Sequence, residues 1–86
     1  MIYELEVSEK LYGVFKKLNR KDHKQLEHIN KKVFEIRRNP LLGKPLKKPL
    51  QGRRRVHIGS FVIFYSIDET RKVVKLLEYE HHDKAY

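Results

Sequence analysis

Arg53-Arg54-Arg55-Val56-His57-Ile58-Gly59-Ser60-Phe61-Val62-Ile63-Phe64-Tyr65-Ser66-Ile67 is the stretch on which the fold turns. β-branched and aromatic residues crowd its second half, and Gly59-Ser60 is a two-residue hairpin signal. It therefore reads as two antiparallel strands, 53–58 and 61–67. In a pleated strand alternate side chains share a face, so Arg53, Arg55 and His57 fall on one side and Arg54, Val56 and Ile58 on the other. A guanidinium is permanently charged and matches phosphate in a bidentate fashion, and an imidazole beside it moves protons near neutral pH. That pattern suits binding or cleavage of nucleic acid. It also suits an edge strand that carries charge to resist aggregation.

Downstream, Asp68-Glu69-Thr70-Arg71 is a second turn, and Lys72–Glu80 is a third strand that completes an antiparallel meander. Upstream, Pro40–Gly52 interleaves three prolines and two glycines with Leu41, Leu42, Leu46 and Leu50, the composition of an ordered loop anchored by leucines. Before it, Leu26, Ile29, Val33 and Ile36 recur at helical spacing until Asn39-Pro40, with Asn19 and Asp22 both available as caps. Ser8 caps an earlier helix whose apolar stripe is Leu11, Val14, Phe15 and Leu18. Residues 2–7 alternate as a half-buried strand. The order β-α-α-β-β-β predicts an α+β fold, a single domain over residues 1–86. One twisted sheet carries a helical hairpin on one face and leaves the other partly open.

The 86 residues include 20 Lys and Arg against 11 Asp and Glu, a formal charge of +9, so an anionic partner is expected. RNA, DNA, an anionic membrane and an acidic protein all meet that description. No cysteine is present, which excludes disulfides and thiolate metal sites. Neither a secretory signal nor a run of 18 apolar residues is visible, so a cytoplasmic protein without a membrane partner is expected.

With these elements in hand, the chain resembles the RelE/ParE superfamily of small basic toxins over essentially its whole length. The resemblance rests on the element order and on Leu50-x-Gly52 followed by basic residues. It rests also on the strand pair 53–65 and on the ending Glu80-His81-His82-Asp83-Lys84-Ala85-Tyr86. It implies a RelE-like toxin that cuts messenger RNA in the ribosomal A site without a metal. The message's own 2′-hydroxyl is the nucleophile, and an acidic, RelB-like antitoxin blocks the toxin, with a heterotetramer as one arrangement. Carried over by position, Arg55 and His57 are the basic strand residues, His81 and His82 the basic pair near the end, and Tyr86 the closing aromatic. Many nucleolytic members have arginine where this chain has Val62, so Arg53 or Arg54 would have to supply that charge.

Cleavage through a 2′-hydroxyl needs a base, an acid for the leaving 5′-oxygen, and cations around a phosphorane. The residues expected to act are Arg55, His57, His82 and Tyr86. Arg53, Arg54, Lys47, Lys48 and His81 are expected to hold substrate. Adjacent histidines on a strand would point to opposite faces and no third ligand is placed, so no metal or cofactor is expected. The alternatives are a ParE-like inhibitor of DNA gyrase and a catalytically weak member that keeps only its antitoxin surface.

Overall fold

The computed structural model describes the backbone of residues 1–85 and the side chains of residues 1–84. Strand β1 (Glu4–Val7) leads into α1 (Glu9–Lys21) and α2 (His23–Arg38). A 3-10 turn at Pro40–Leu42 and a two-residue strand β2 (Lys44–Pro45) precede the meander β3 (Arg53–Ile58), β4 (Phe61–Asp68) and β5 (Val73–His81). A last turn of helix, α3 (His82–Ala85), follows. The α+β class and the element order match expectation; β1 starts two residues later than expected, β4 runs one residue longer, and three further departures follow. The segment 40–52 is not wholly loop, because Lys44 and Pro45 pair with Arg55 and Arg54. The third long strand starts one residue late, since Lys72 sits at φ 56° in the turn. The strand also ends at His81, where the chain coils into α3.

The five strands form one sheet in the order β1-β5-β4-β3-β2, with β1 parallel to β5 and the other pairs antiparallel. Asp22 joins the helices alone. Its N–H donates to the Leu18 carbonyl at 2.8 Å and closes α1, while its carboxylate accepts from Gln25 N–H at 3.1 Å and opens α2. Ser8 ties the start of α1 to the sheet: its Oγ accepts from Leu11 N–H at 3.3 Å and donates to the Leu77 carbonyl at 2.9 Å.

One core joins the hairpin to the sheet. Leu11 from α1 and Ile29, Val33 and Ile36 from α2 pack on Ile63, Tyr65, Val74 and Leu76. Each such aliphatic side chain contributes about 1.5–3 kcal/mol relative to exposure. The predicted helical stripes supply this core, with Val14, Phe15, Leu18 and Leu26 partly buried at its margin.

Candidate nucleic-acid interface

The strand register divides the meander into two faces. On the face toward the hairpin the rows run Arg54–Tyr65–Leu76, Val56–Ile63–Tyr79 and Ile58–Phe61–His81. On the opposite face they run Arg55–Phe64–Glu78 and His57–Val62–Glu80, with Arg53 opposite Ser66. Arg53, Arg55 and His57 thus share a face, repeating about every 6.7 Å along β3.

Arg54 points the other way and works on the loop. Its Nη1 donates to the Gly43 carbonyl at 2.6 Å. Gly43 N–H donates to the Tyr65 hydroxyl at 2.8 Å, and that hydroxyl donates to the Pro40 carbonyl at 2.6 Å. Burial raises the Tyr65 pKa above its ordinary value, against the opposing pull of the Gly43 hydrogen bond and the Arg54 charge. Gly43 is there for space, since a Cβ would come within 2.8 Å of Tyr65 Cε1 and 2.9 Å of the Arg55 carbonyl. The staple fixes β2 against β3 and so fixes the backbone of Arg55.

Lys47 and Lys48 are exposed in the loop joining β2 to β3, at the Arg53 end of β3. His57 lies four residues further along, about 13 Å away. These lysines and His57 cannot grip one phosphate. His82 stands at the other end, where its backbone N–H donates to the Ser60 carbonyl at 2.9 Å and its Nδ1 to the same carbonyl at 3.1 Å. His81 packs edge-on against Phe61, with ring centroids 5.3 Å apart. β3 and β5 are about 10 Å apart across β4. His57 and His82 therefore flank the hairpin turn from two sides. Tyr86 lies outside the described residues. Val62, at the position where the resemblance leads one to expect arginine, is 0% exposed and separates His57 from Glu80.

The reason for expecting no metal ligand set fails here. Because β5 ends at His81, the next residue turns back instead of alternating, and ligand atoms of His81, His82 and Asp83 come within 4.8 Å of one another.

A groove of about 700 Å³ opens between α2 and the β3–β4 turn. Ile58, Phe61 and Tyr79 line it from the sheet, and Lys24, His28, Lys31 and Lys32 line it from the helix. His57 and Ser60 belong to it as well. Phe61 and Tyr79 stack at 4.8 Å and 7°, and Gln25 Nε2 donates to the Tyr79 hydroxyl at 2.6 Å. Burial is the main cause that raises the Tyr79 pKa. The groove was missed from sequence, although Lys24, His28 and Lys31 at helical spacing mark one basic stripe. Across groove and strand face, the arrangement offers phosphate contacts beside an aromatic floor.

A five-stranded sheet backed by a helical hairpin, with a row of cations on its third strand, defines the small basic toxins of toxin–antitoxin pairs as the class. Residues 2–86 match the model of the ParE toxin of the type II toxin–antitoxin system parDE. The chain belongs to that family, within the RelE/ParE superfamily. A protein of Methanocaldococcus jannaschii provisionally named toxin RelE4 is 41% identical over 86 residues, covering 99% of this chain and 92% of that one. The toxin–antitoxin complex RelBE2 of Mycobacterium tuberculosis contains a chain similar at TM-score 0.82 and 25% identity, covering 94% of this chain and 99% of that one. The YoeB/ParE toxin of Agrobacterium tumefaciens is similar at TM-score 0.83 and 19% identity, covering 92% and 98%, a likeness of fold. No helix among the described residues is long and apolar enough to cross a membrane.

Proposed function

We propose that this toxin is a metal-independent, ribosome-dependent endoribonuclease that cuts messenger RNA in the A site through attack of the 2′-hydroxyl. The observation that carries the reading is the placement of Arg55 and His57 on one face of β3, with His82 pinned by the Ser60 carbonyl at the turn that ends β3. A base for the 2′-hydroxyl and an acid for the 5′-oxygen act from opposite sides of phosphorus, so two imidazoles flanking the turn suit the task better than two in contact. Arg55, backed by Arg53, stabilises the phosphorane, and Lys47 and Lys48 hold phosphates further along the chain. Tyr86 would stack on a base or orient the phosphate.

An acidic antitoxin is the expected partner in the cytoplasm. The basic wall and apolar floor of the α2 groove suit an acidic amphipathic segment, and neighbours of this fold occur in toxin–antitoxin complexes. Two observations favour a second reading, inhibition of DNA gyrase by a binder that cuts nothing. The family model is that of ParE, and Val62 leaves the central strand without a cation.

Primer extension on messages after induced expression separates them. The nuclease reading expects cuts within A-site codons that fall about 10²–10⁴-fold in His57→Ala and about 10²–10³-fold in Arg55→Ala. Growth arrest with intact messages and gyrase-linked DNA breaks would overturn it.

A further inference from the structure

We infer that His81, His82 and Asp83 form a site for one divalent transition cation of the zinc class at the end of β5. A carbonyl oxygen only accepts, so the 3.1 Å contact from His82 Nδ1 to the Ser60 carbonyl fixes the proton on Nδ1 and leaves a lone pair on Nε2 of the neutral ring. That Nε2 lies 3.2 Å from Asp83 Oδ1, itself an acceptor. On the other side, Asp83 N–H donates to His81 Nδ1 at 3.3 Å, so this nitrogen also carries a lone pair, 3.6 Å from Asp83 Oδ2.

Each pair faces acceptor to acceptor across a gap that a cation, a proton or a metal ion, would fill. Ligand atoms about 2.1 Å from a tetrahedral metal are about 3.4 Å from each other; His82 Nε2 stands 3.2 Å from Asp83 Oδ1 and His81 Nδ1 3.6 Å from Oδ2, so each imidazole is near that spacing from one carboxylate oxygen and the exposed side chains draw together on binding. All three residues place a ligand atom within 4.8 Å of the others. Binding at His81 Nδ1 replaces one long hydrogen bond.

The Ser60 carbonyl plays the outer partner that metal-bound histidines ordinarily have: it holds the tautomer and the ring orientation before the ion arrives. Two imidazoles and one carboxylate favour Zn²⁺, Co²⁺ or Ni²⁺ over Mg²⁺ or Ca²⁺, which prefer all-oxygen sets. The side chains are partly exposed, so water completes the coordination. On the proposed nuclease reading there is a consequence: the ion occupies His82 Nε2 and withdraws that imidazole from proton transfer, making the site inhibitory.

The test uses the full chain without a histidine tag. Co²⁺ is titrated and followed by its d–d absorption, then displaced with Zn²⁺. One equivalent should bind and resist excess Mg²⁺. Asp83→Asn and His81→Ala should each weaken binding by about tenfold or more, while His23→Gln on α2 should leave it unchanged. Far-ultraviolet circular dichroism verifies that each variant is folded, and all three substituted side chains are at least partly exposed. No saturable binding, wild-type affinity in Asp83→Asn, or loss in His23→Gln would overturn the site. Metal binding intact with RNA cleavage unaffected by Zn²⁺ would overturn the inhibitory role assigned to the ion and count against His82 as a proton carrier, leaving the coordination itself standing.

Discussion

Tyr65→Phe and Gly43→Ala, made singly and together, test whether the buried staple beneath β3 is a single cooperative contact. Tyr65 is 0% exposed, and its hydroxyl accepts from Gly43 N–H and donates to the Pro40 carbonyl. Removing the oxygen forfeits two hydrogen bonds at about 0.5–1.5 kcal/mol each, or about 2 kcal/mol in total. In a chain of this size that lowers the melting temperature by about 8–16 °C. Gly43→Ala pushes a methyl against the Tyr65 ring and the Arg55 carbonyl, an overpacking cost of about 1–3 kcal/mol. The unfolded chain loses freedom with alanine, which offsets about 0.4–1 kcal/mol of that cost. The hydroxyl is the nearest atom to the added methyl, so in the Tyr65→Phe background the same Gly43→Ala change should cost about 1 kcal/mol less. Urea denaturation followed by circular dichroism measures all four proteins, with equal slopes as the check on two-state behaviour. Additivity within about 0.3 kcal/mol would refute the staple as a unit. A Tyr65→Phe cost below about 0.5 kcal/mol would refute the hydrogen-bond assignment.

Ser8→Ala should lower stability by about 1–2 kcal/mol, because one hydroxyl both caps α1 and bonds β5; a shifted urea midpoint at constant slope is the measure. Raised pKa values at Tyr65 and Tyr79 mean that the folded protein holds those protons after the unfolded chain has released them. Their contribution to stability is complete below the ordinary tyrosine value near 10 and falls as pH rises through the folded values. Tyr79→Phe should therefore lose less stability than wild type between about pH 9 and about pH 11, and an equal loss would place the alkaline transition elsewhere.

Local chemistry made most of the fold readable. The cap at Ser8, the stripe Ile29–Val33–Ile36 and the Gly59-Ser60 turn each depend on residues close in sequence, and each element stands where the pattern puts it. Asn19 and Asp22 could not be told apart as caps by sequence. The structure selects Asp22, with Asn19 inside α1 accepting from His23 Nδ1 at 3.1 Å. What periodicity could not give was long-range pairing. The alternation at 4–7 identifies a strand but not its parallel partnership with β5, and Lys44-Pro45 is too short to carry any period. At the site, strand alternation correctly separated Arg54 from Arg55 and His57. It failed at His82 because it was extended one residue past the end of β5, and with that step the convergence on Asp83 was lost.

The charge along the rows also constrains how a nucleic acid can lie on this face. Moving across the sheet from Arg55 or His57, the next residues are Phe64 or Val62, and after them Glu78 or Glu80. Lys10 at 3.8 Å partly offsets Glu78, in a pair largely exposed to solvent. A phosphate chain crossing from β3 to β5 would thus pass from attraction into repulsion within about 10 Å, the separation of two strand spacings and close to the screening length in physiological salt. A chain running along β3 meets Lys47 and Lys48, then Arg53, Arg55 and His57, with no acidic residue among the β3 side chains. The message in the proposed reaction therefore follows β3 toward the Gly59-Ser60 turn, and His82, anchored to that turn by Ser60, meets it at the end of the track. Val62 sits beside this path instead of on it, which is why an aliphatic residue near the start of β4 leaves the run of basic residues along β3 unbroken.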